Sequence, residues 1–175
     1  MKSFSEEKKL GTLELLLIKP VNIWQTVLGK FFGTFILGLI ALIPTFLYTY
    51  TISELGTSKG NLDMGLVLGG YFGTIFLMAC YTAIGIFSST LSENQIVAFI
   101  AGLVSCFLFY YGFEGLSTLF SDGQASLFFQ SLGMKHHFES IARGVLDTRD
   151  LVYFASLALF FLFLTVVQLK NLARR

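Results

Sequence analysis

The chain has 175 residues, of which 54% are hydrophobic and only 13% are charged. Soluble globular domains carry roughly 25% charged residues, so this composition disfavours a soluble domain built around one buried core. The net charge of +1 gives no sign of a nucleic-acid partner, and none is expected.

Residues 1–26 are predicted to form a segment outside the membrane. Four leucines in this segment recur at intervals of three and four residues, which is typical of a short amphipathic helix. They are Leu10, Leu13, Leu16 and Leu17. Pro20 is expected to end that helix, because the residue before a proline is displaced from helical backbone angles.

Four long stretches then carry no charged side chain: 31–53, 64–92, 94–113 and 151–169. A hydrocarbon core about 30 Å thick is crossed by about 20 helical residues, and backbone groups in lipid have to be bonded internally. The stretches are continuously apolar rather than alternating, which indicates helices rather than barrel strands. We therefore predict an all-α membrane protein with four transmembrane helices, at about 27–52, 64–91, 95–113 and 151–169.

Particular residues mark the expected bends and ends of these helices. Pro44 lies inside the first span and is expected to bend it. Asp63 is placed to cap the second span, and Ser92 with Gln95 fits a capping box for the third. Asp150 is expected to cap the last span.

The segment 114–150 is predicted to be an outer loop that contains short helices. Apolar side chains are interspersed along it, and Phe138, Ile141, Ala142 and Val145 repeat as one helical face. Such a pattern favours short helices that pack on the outer membrane surface or dip into it.

The unequal number of basic residues on the two sides of the membrane predicts the orientation of the chain. Four spans place both termini on one side, and that side holds eight Lys and Arg residues while the other side holds four. The positive-inside rule then places both termini in the cytoplasm.

The side chains indicate neither catalysis nor metal binding. His136 and His137 are adjacent and diverge on a helix, so we interpret them as surface residues. We find neither a nucleophile–base set nor a phosphate-binding loop, and ATP hydrolysis, a cofactor and a metal are not expected. Charged residues lie only at the ends of the spans, which disfavours an ion-driven pump.

Glycines recur every four residues at Gly65, Gly69 and Gly73 in the second span, and at Gly29 and Gly33 in the first. Such spacing leaves one helix face without side chains, so that the backbone of another helix can approach it closely. Packing within this chain and a sliding or dimer surface are both consistent with the pattern.

Two motifs carry a resemblance to a known family. The first is S-E-E-K-K-L-G-T-L-E-L-L-L-I-K-P at 5–20, followed by V-L-G-K-F at 27–31. The second is L-G-M at 132–134 and I-A-R-G-V-L-D-T-R-D at 141–150. Both resemble type-2 ABC exporter permeases, and in detail the chain looks most like the gliding-motility-associated ABC permease subunit of Bacteroidota.

The resemblance implies an architecture and partners. Such permeases have six spans, and the acidic motif lies between the second and third, where it contacts the ATPase subunit. This chain would then lack two N-terminal spans. It would work with a second permease subunit and two separate ATPase subunits in the lipid bilayer. The implied ATPase contacts are Glu6, Glu7, Thr12, Leu13, Glu14 and Leu16.

Alternatives to this interpretation stay open. Leu13 and Leu16 could equally pack on the membrane surface or on this chain's own helices. As a whole, the chain could be a membrane anchor or assembly scaffold that does no transport, with the glycine face and the outer segment as binding surfaces.

Overall fold

The computed structural model describes residues 2–12, 22–55, 63–120 and 123–173, and within these ranges every regular element is a helix. Four helices are long and apolar enough to cross a membrane: Ile23–Leu55, Met64–Leu91, Gln95–Ser117 and Thr148–Leu172. The prediction of an all-α membrane protein with four spans is confirmed.

The elements follow one another in a simple order. They are α1 (Lys2–Lys9), α2 (Ile23–Leu42), α3 (Thr45–Leu55), α4 (Met64–Leu91), α5 (Gln95–Phe107), a π-helical turn (Leu108–Gly112), α6 (Phe113–Ser117), α7 (Gly123–Ser131), α8 (Met134–Ala142) and α9 (Thr148–Ala173).

The first span is broken at Pro44, as its sequence predicts. A turn at Ile43 and Pro44 separates α2 from α3, because proline has no N–H and its ring blocks the preceding helical turn. The hydroxyl of Thr45 donates to the carbonyl of Leu42 at 2.6 Å across the break. The third span is also interrupted, by the π-helical turn, and it reaches four residues beyond the predicted end at 113.

Of the three predicted helix caps, the structure confirms Asp63 and places the other two caps at different residues. Asp63 caps α4 as expected, since its carboxylate accepts from the N–H groups of Gly65 and Leu66. The cap of α5 is Asn94 rather than Ser92, because the chain bends for two more residues before the helix begins.

The last span begins before the residue that was expected to cap it. The helix starts at Thr148, and the Asp147 carboxylate accepts from the Arg149 N–H at 2.9 Å. Asp150 therefore lies within the first helical turn, where its side chain is free to bond to another element.

The centre of the bundle is α4, which packs most extensively along α9 and also contacts α1, α2, α5 and α8. Ala83 and Ile84 of α4 and Phe154 and Leu162 of α9 are almost fully buried. The first and third spans are covered much less, with 11% of their apolar windows buried against 44% and 39% for the second and last. Large apolar faces of this kind are stable against lipid or a protein partner.

The short helices lie at opposite ends of α4. Helix α1 contacts the last turn of α4 through Lys8 and Thr90, whereas α8 contacts its first half at Gly69 and Gly73. We call these the α1 end and the α8 end. Phe138 and Ile141 share a face of α8 as predicted, but that face packs against α4, and Val145 lies beyond α8 and is exposed.

Candidate functional site

Helix α1 is anchored to the bundle by its own buried side chains. Phe4 and Ser5 are fully buried, and α1 packs against α4 and α5. Burial of a phenylalanine contributes about 1.5–3 kcal/mol, so α1 is held to the spans.

A lysine fixes α1 to the end of α4. The Nζ of Lys8 donates to the backbone carbonyl of Thr90 at 3.0 Å. The last carbonyls of a helix have no partner within the helix, and they carry the negative end of its dipole. The ammonium therefore both satisfies an unpaired acceptor and neutralises partial charge.

An ion pair fixes α1 to the first span. The Nζ of Lys30 lies 2.6 Å from Oε1 of Glu7, and the two side chains are 20% and 28% exposed. The same ammonium lies 4.1 Å from the centre of the Phe4 ring, where cations are attracted to the ring face. Glu7 Oε2 is buried and has no hydrogen-bond partner among the described residues.

A polar groove opens beside this anchor. Glu6 and Lys9 form one wall, and the turn and first residues of α5 form the other, namely Glu93, Asn94, Gln95 and Ile96. Its volume is about 590 Å³. Six side chains of mixed charge and polarity, most of them exposed, give a surface that suits a protein partner rather than a buried small molecule.

The predicted ATPase contacts fall partly on this surface. Glu6 is exposed at the groove, Glu7 is held in the ion pair, and the Thr12 hydroxyl donates to the Glu7 carbonyl at 3.3 Å. Leu13, Glu14 and Leu16 lie outside the described residues, as does most of the predicted amphipathic helix.

Helix α1 itself is not predicted by the leucine pattern, since it lies upstream of it. Gly11 ends α1 in the left-handed region, with φ of +69°, a backbone conformation that favours glycine. The signals that could have found α1 are the apolar Phe4 and the acidic and basic pairs that follow it.

A second polar cluster lies at the α8 end. Lys135 Nζ donates to both carboxylate oxygens of Glu114, at 2.6 and 2.7 Å, and lies 3.7 Å from Glu139. The hydrogen bond that Lys135 donates to Glu114 raises the pKa of Lys135, so this ammonium stays charged through the neutral range. Glu114 stands at the end of the third span, and the pair joins that span to α8.

The expectation that both histidines are surface residues is wrong for His137. Its Nδ1 lies 2.6 Å from Asp150 Oδ1, and its side chain is 12% exposed. Its Nε2 lies 2.8 Å from the Ser131 carbonyl, and the ring stacks on Tyr153 at 4.0 Å. His136 is exposed. Among the described residues, no group of three His, Cys, Asp or Glu side chains is placed to hold a metal ion.

The glycines divide between two environments. A Cβ on Gly69 would meet the Ile141 carbonyl oxygen and the Gly144 backbone, and one on Gly73 would meet the Phe138 ring. Gly65 lies close to Gly144, since a Cβ on the latter would be 3.3 Å from the Gly65 oxygen. The glycine face of α4 therefore receives α8 and the turn after it.

Gly29 and Gly33 of the first span face a different environment. A Cβ on either glycine would have no atom within 4 Å. No described part of this chain covers that face, so it is open to lipid or another chain.

Comparison with known proteins fits this architecture. Searches of curated proteins and of solved structures each gave no match. The family model described as ABC-2 family transporter protein matches residues 1–170, which is nearly the whole chain. This family supplies the membrane component of ABC transporters and is not itself catalytic. The chain therefore belongs to the ABC-2 family of transporter proteins.

Proposed function

We propose that this chain is the membrane-spanning permease subunit of an ATP-driven exporter, and that it couples to a separate ATPase subunit through residues 6–20. The observation that carries the proposal is the α1 end. There a short helix is fixed to two spans beside a polar groove, and the ABC-2 family supplies the transport context.

The two contacts that fix α1 to the bundle can transmit a displacement of α1 to the spans. A partner that moves α1 pulls on the first span through Glu7 and Lys30, and on α4 through Lys8 and Thr90. Short contacts between packed helices transmit displacement because a close-packed interior is hardly compressible.

The displacement can also reach the opposite end of the bundle. Helix α4 carries α8 on its glycine face, so an ATPase that closes on one side of the membrane can move α8 on the other. We propose this path as the link between ATP hydrolysis and opening of an outward route.

A second permease subunit completes the proposed assembly. The first and third spans bury only 11% of their apolar windows within this chain, and Gly29 and Gly33 lie on an open face. Close helix approach at such glycines is typical of membrane interfaces. Faces of this extent suit a second permease, with lipid covering the remainder.

The excess of basic residues on the α1 side supports a cytoplasmic position for both termini of this chain in a bacterial inner membrane. The most specific function that we propose for this chain is a role in gliding motility. It rests only on the motifs at 5–20 and 132–150.

Capture of the ATPase tests the coupling. The tagged chain is co-expressed with each ABC ATPase subunit of the same genome in turn, and the ATPase recovered in detergent is quantified. The double variant Glu6→Lys, Glu93→Lys reverses two exposed charges at the groove and should lower recovery of the ATPase about ten-fold. An ATPase surface that is complementary to the two carboxylates would then face lysines of its own sign, and like charges at an interface repel. Glu54→Lys, an exposed reversal in α3, is the matched control and should leave recovery unchanged.

Equal recovery of the ATPase by the double variant and by the control would contradict the groove assignment. The anchor or scaffold alternative makes a different prediction, since the chain would then not alter ATP hydrolysis by the ATPase in vesicles. An ATP hydrolysis rate that rises when the chain is present, and that falls in the double variant, supports the exporter function.

A further inference from the structure

A polar cavity lies at the α8 end between the third span, α7 and α8. Its volume is about 210 Å³, and its side-chain lining includes Tyr110, Glu114, Gln130, Lys135, His136 and Glu139. None of these residues takes part in the α1 end, and the proposed coupling makes no use of them.

The cavity lies at the depth of a membrane interface. Glu114 follows Gln95, the first residue of the third span, by 19 positions. At 1.5 Å per helical residue this is about 29 Å, close to the thickness of about 30 Å of a hydrocarbon core. A polar cavity at that height lies among lipid headgroups.

An apolar groove continues from the cavity along the same span. Its lining is Phe107, Tyr111, Gly112, Glu114, Gly115 and Thr118, and its volume is about 600 Å³. Glu114 is common to both spaces. A Cβ on Gly115 would have no atom within 4 Å, so the groove stays open at that glycine. From Glu114 the groove leads back toward Phe107, deeper in the hydrocarbon.

The charges of the cavity favour a ligand that carries an ammonium group. Lys135 is already bonded to both oxygens of Glu114. Glu139 lies 3.7 Å from the same ammonium and its side chain is 57% exposed. Two carboxylates therefore share one lysine, and the nearby Arg143 Nε donates to the Glu139 backbone carbonyl at 3.1 Å, so the exposed Glu139 carboxylate can accept a further donor. Tyr110 also lines the cavity, and aromatic rings attract cations.

The same cavity also offers donors to an anion. Lysine has three N–H donors, of which two are used by Glu114, and the exposed His136 also lines the cavity. A headgroup with one ammonium and one phosphate therefore finds a partner for each charge. An acyl chain attached to it would enter the apolar groove.

We propose that the cavity and the groove together bind one phospholipid with a zwitterionic, primary-amine headgroup. The ammonium bonds to Glu139, the phosphate lies at His136 and Lys135, and an acyl chain lies along Phe107–Gly115–Thr118. The inference rests on the membrane placement of the proposed function and does not depend on ATPase coupling.

The test uses the full chain, purified in mild detergent, stripped of lipid and placed in nanodiscs of neutral choline lipid. Phosphatidylethanolamine and phosphatidylglycerol are added separately, and bound lipid is counted by native mass spectrometry. We expect one ethanolamine lipid to bind at least five times more tightly than the glycerol lipid. Glu139→Gln should weaken that binding about 5- to 10-fold, the factor that one partly exposed hydrogen bond of about 1 kcal/mol gives.

A second variant separates the groove from the cavity. Gly115→Phe fills the open groove without touching the headgroup partners, and it should weaken binding of the intact lipid by a similar factor. Glu54→Gln, which removes an exposed carboxylate from α3, should leave binding unchanged.

Four outcomes would overturn the proposal, and three of them concern lipid binding. These are equal affinity for the two lipids in the unaltered chain, ethanolamine binding that is insensitive to Glu139→Gln, and equal affinity for the deacylated headgroup glycerophosphoethanolamine. Recovery of a second copy of the chain that is lost in Gly115→Phe would likewise assign the groove to a protein interface. Each of these results leaves the capture of the ATPase at the α1 end unaffected, so the two proposals fail separately.

Discussion

Lys30 of the first span and Glu7 of α1 are joined by a contact of 2.6 Å, although 23 residues separate them along the chain. The pair closes a loop whose middle part lies outside the described residues. Lys30 also stands over the Phe4 ring, so one ammonium meets two side chains of α1. The position of α1 on the bundle therefore depends on this lysine.

Loss of the Glu7 charge should loosen α1. Glu7→Gln removes the carboxylate and leaves Lys30 partly buried beside a neutral amide. We expect a loss of about 1–2 kcal/mol in the free energy that holds α1 in place. Hydrogen exchange of residues 2–12 in detergent should rise accordingly, while exchange in α4 stays unchanged.

The control for this change is Lys9→Gln, which removes an exposed charge from the same helix. It should change exchange in α1 very little, because exposed charges contribute little to stability. Equal exchange in the Glu7 variant and in the unaltered chain would show that Phe4 burial and the Lys8 hydrogen bond hold α1 without the ion pair.

A methyl group on the glycine face of α4 should separate α8 from the bundle. In Gly69→Ala the new Cβ meets the Ile141 carbonyl oxygen and the backbone of Gly144, and backbone atoms cannot move aside as a side-chain end can. Overpacking of this kind costs about 1–3 kcal/mol. The midpoint of thermal unfolding in detergent should fall.

The neighbouring glycine provides a matched control. A Cβ on Gly70 would have no atom within 4 Å, and alanine is the better helix former by about 0.5–1 kcal/mol. Gly70→Ala should therefore leave the midpoint equal or slightly higher. A fall of the same size in both variants would mean that glycine flexibility, rather than contact with α8, explains the first result.

The spans could be predicted from the sequence because lipid imposes a simple rule on them. An uncharged helical stretch of sufficient length is stable there whatever its neighbours are, so the four spans followed from composition alone. The break at Pro44 followed from proline chemistry. The caps at Ser92 and Asp150 were misplaced, because a cap depends on the backbone path of two or three residues, and several polar residues compete for it.

The contacts between distant residues could not be predicted in the same way. The sequence shows that Lys30 is a charge at the end of a span, but only the fold brings it to Glu7. His137 was interpreted as exposed because its neighbour His136 diverges from it, yet that divergence is what aims one ring inward at Asp150. A single sequence shows which side chains share a face of one helix, and it does not show which second helix will cover that face.

Accessibility of the two ends should establish the orientation. In a chain whose native cysteines Cys80 and Cys106 are replaced by serine, one cysteine is introduced at Leu119 or at Lys9, both of which are exposed. A membrane-impermeant maleimide should label position 119 in intact cells and position 9 only after the membrane is opened. The reverse pattern would contradict the placement of the termini in the cytoplasm.

Asp150 should be the residue that holds the α8 end to the last span. Its carboxylate is 8% exposed and meets His137 at 2.6 Å, while the other His137 nitrogen meets the Ser131 carbonyl. Asp150→Ala leaves a largely buried imidazole without its charged partner, which costs about 2–3 kcal/mol. Hydrogen exchange in α7 and α8 should rise while exchange in the second half of α9 stays the same.

A milder variant distinguishes the His137–Asp150 contact from general packing around the histidine. Tyr153→Phe keeps the ring that stacks on His137 and removes only the hydroxyl that donates to the Leu132 carbonyl at 2.6 Å. One neutral hydrogen bond contributes about 1 kcal/mol, so exchange in α8 should rise less than in Asp150→Ala. If the tyrosine variant loosens α8 as much as the aspartate variant does, the Leu132 contact, and not the His137–Asp150 pair, fixes α8 to the last span.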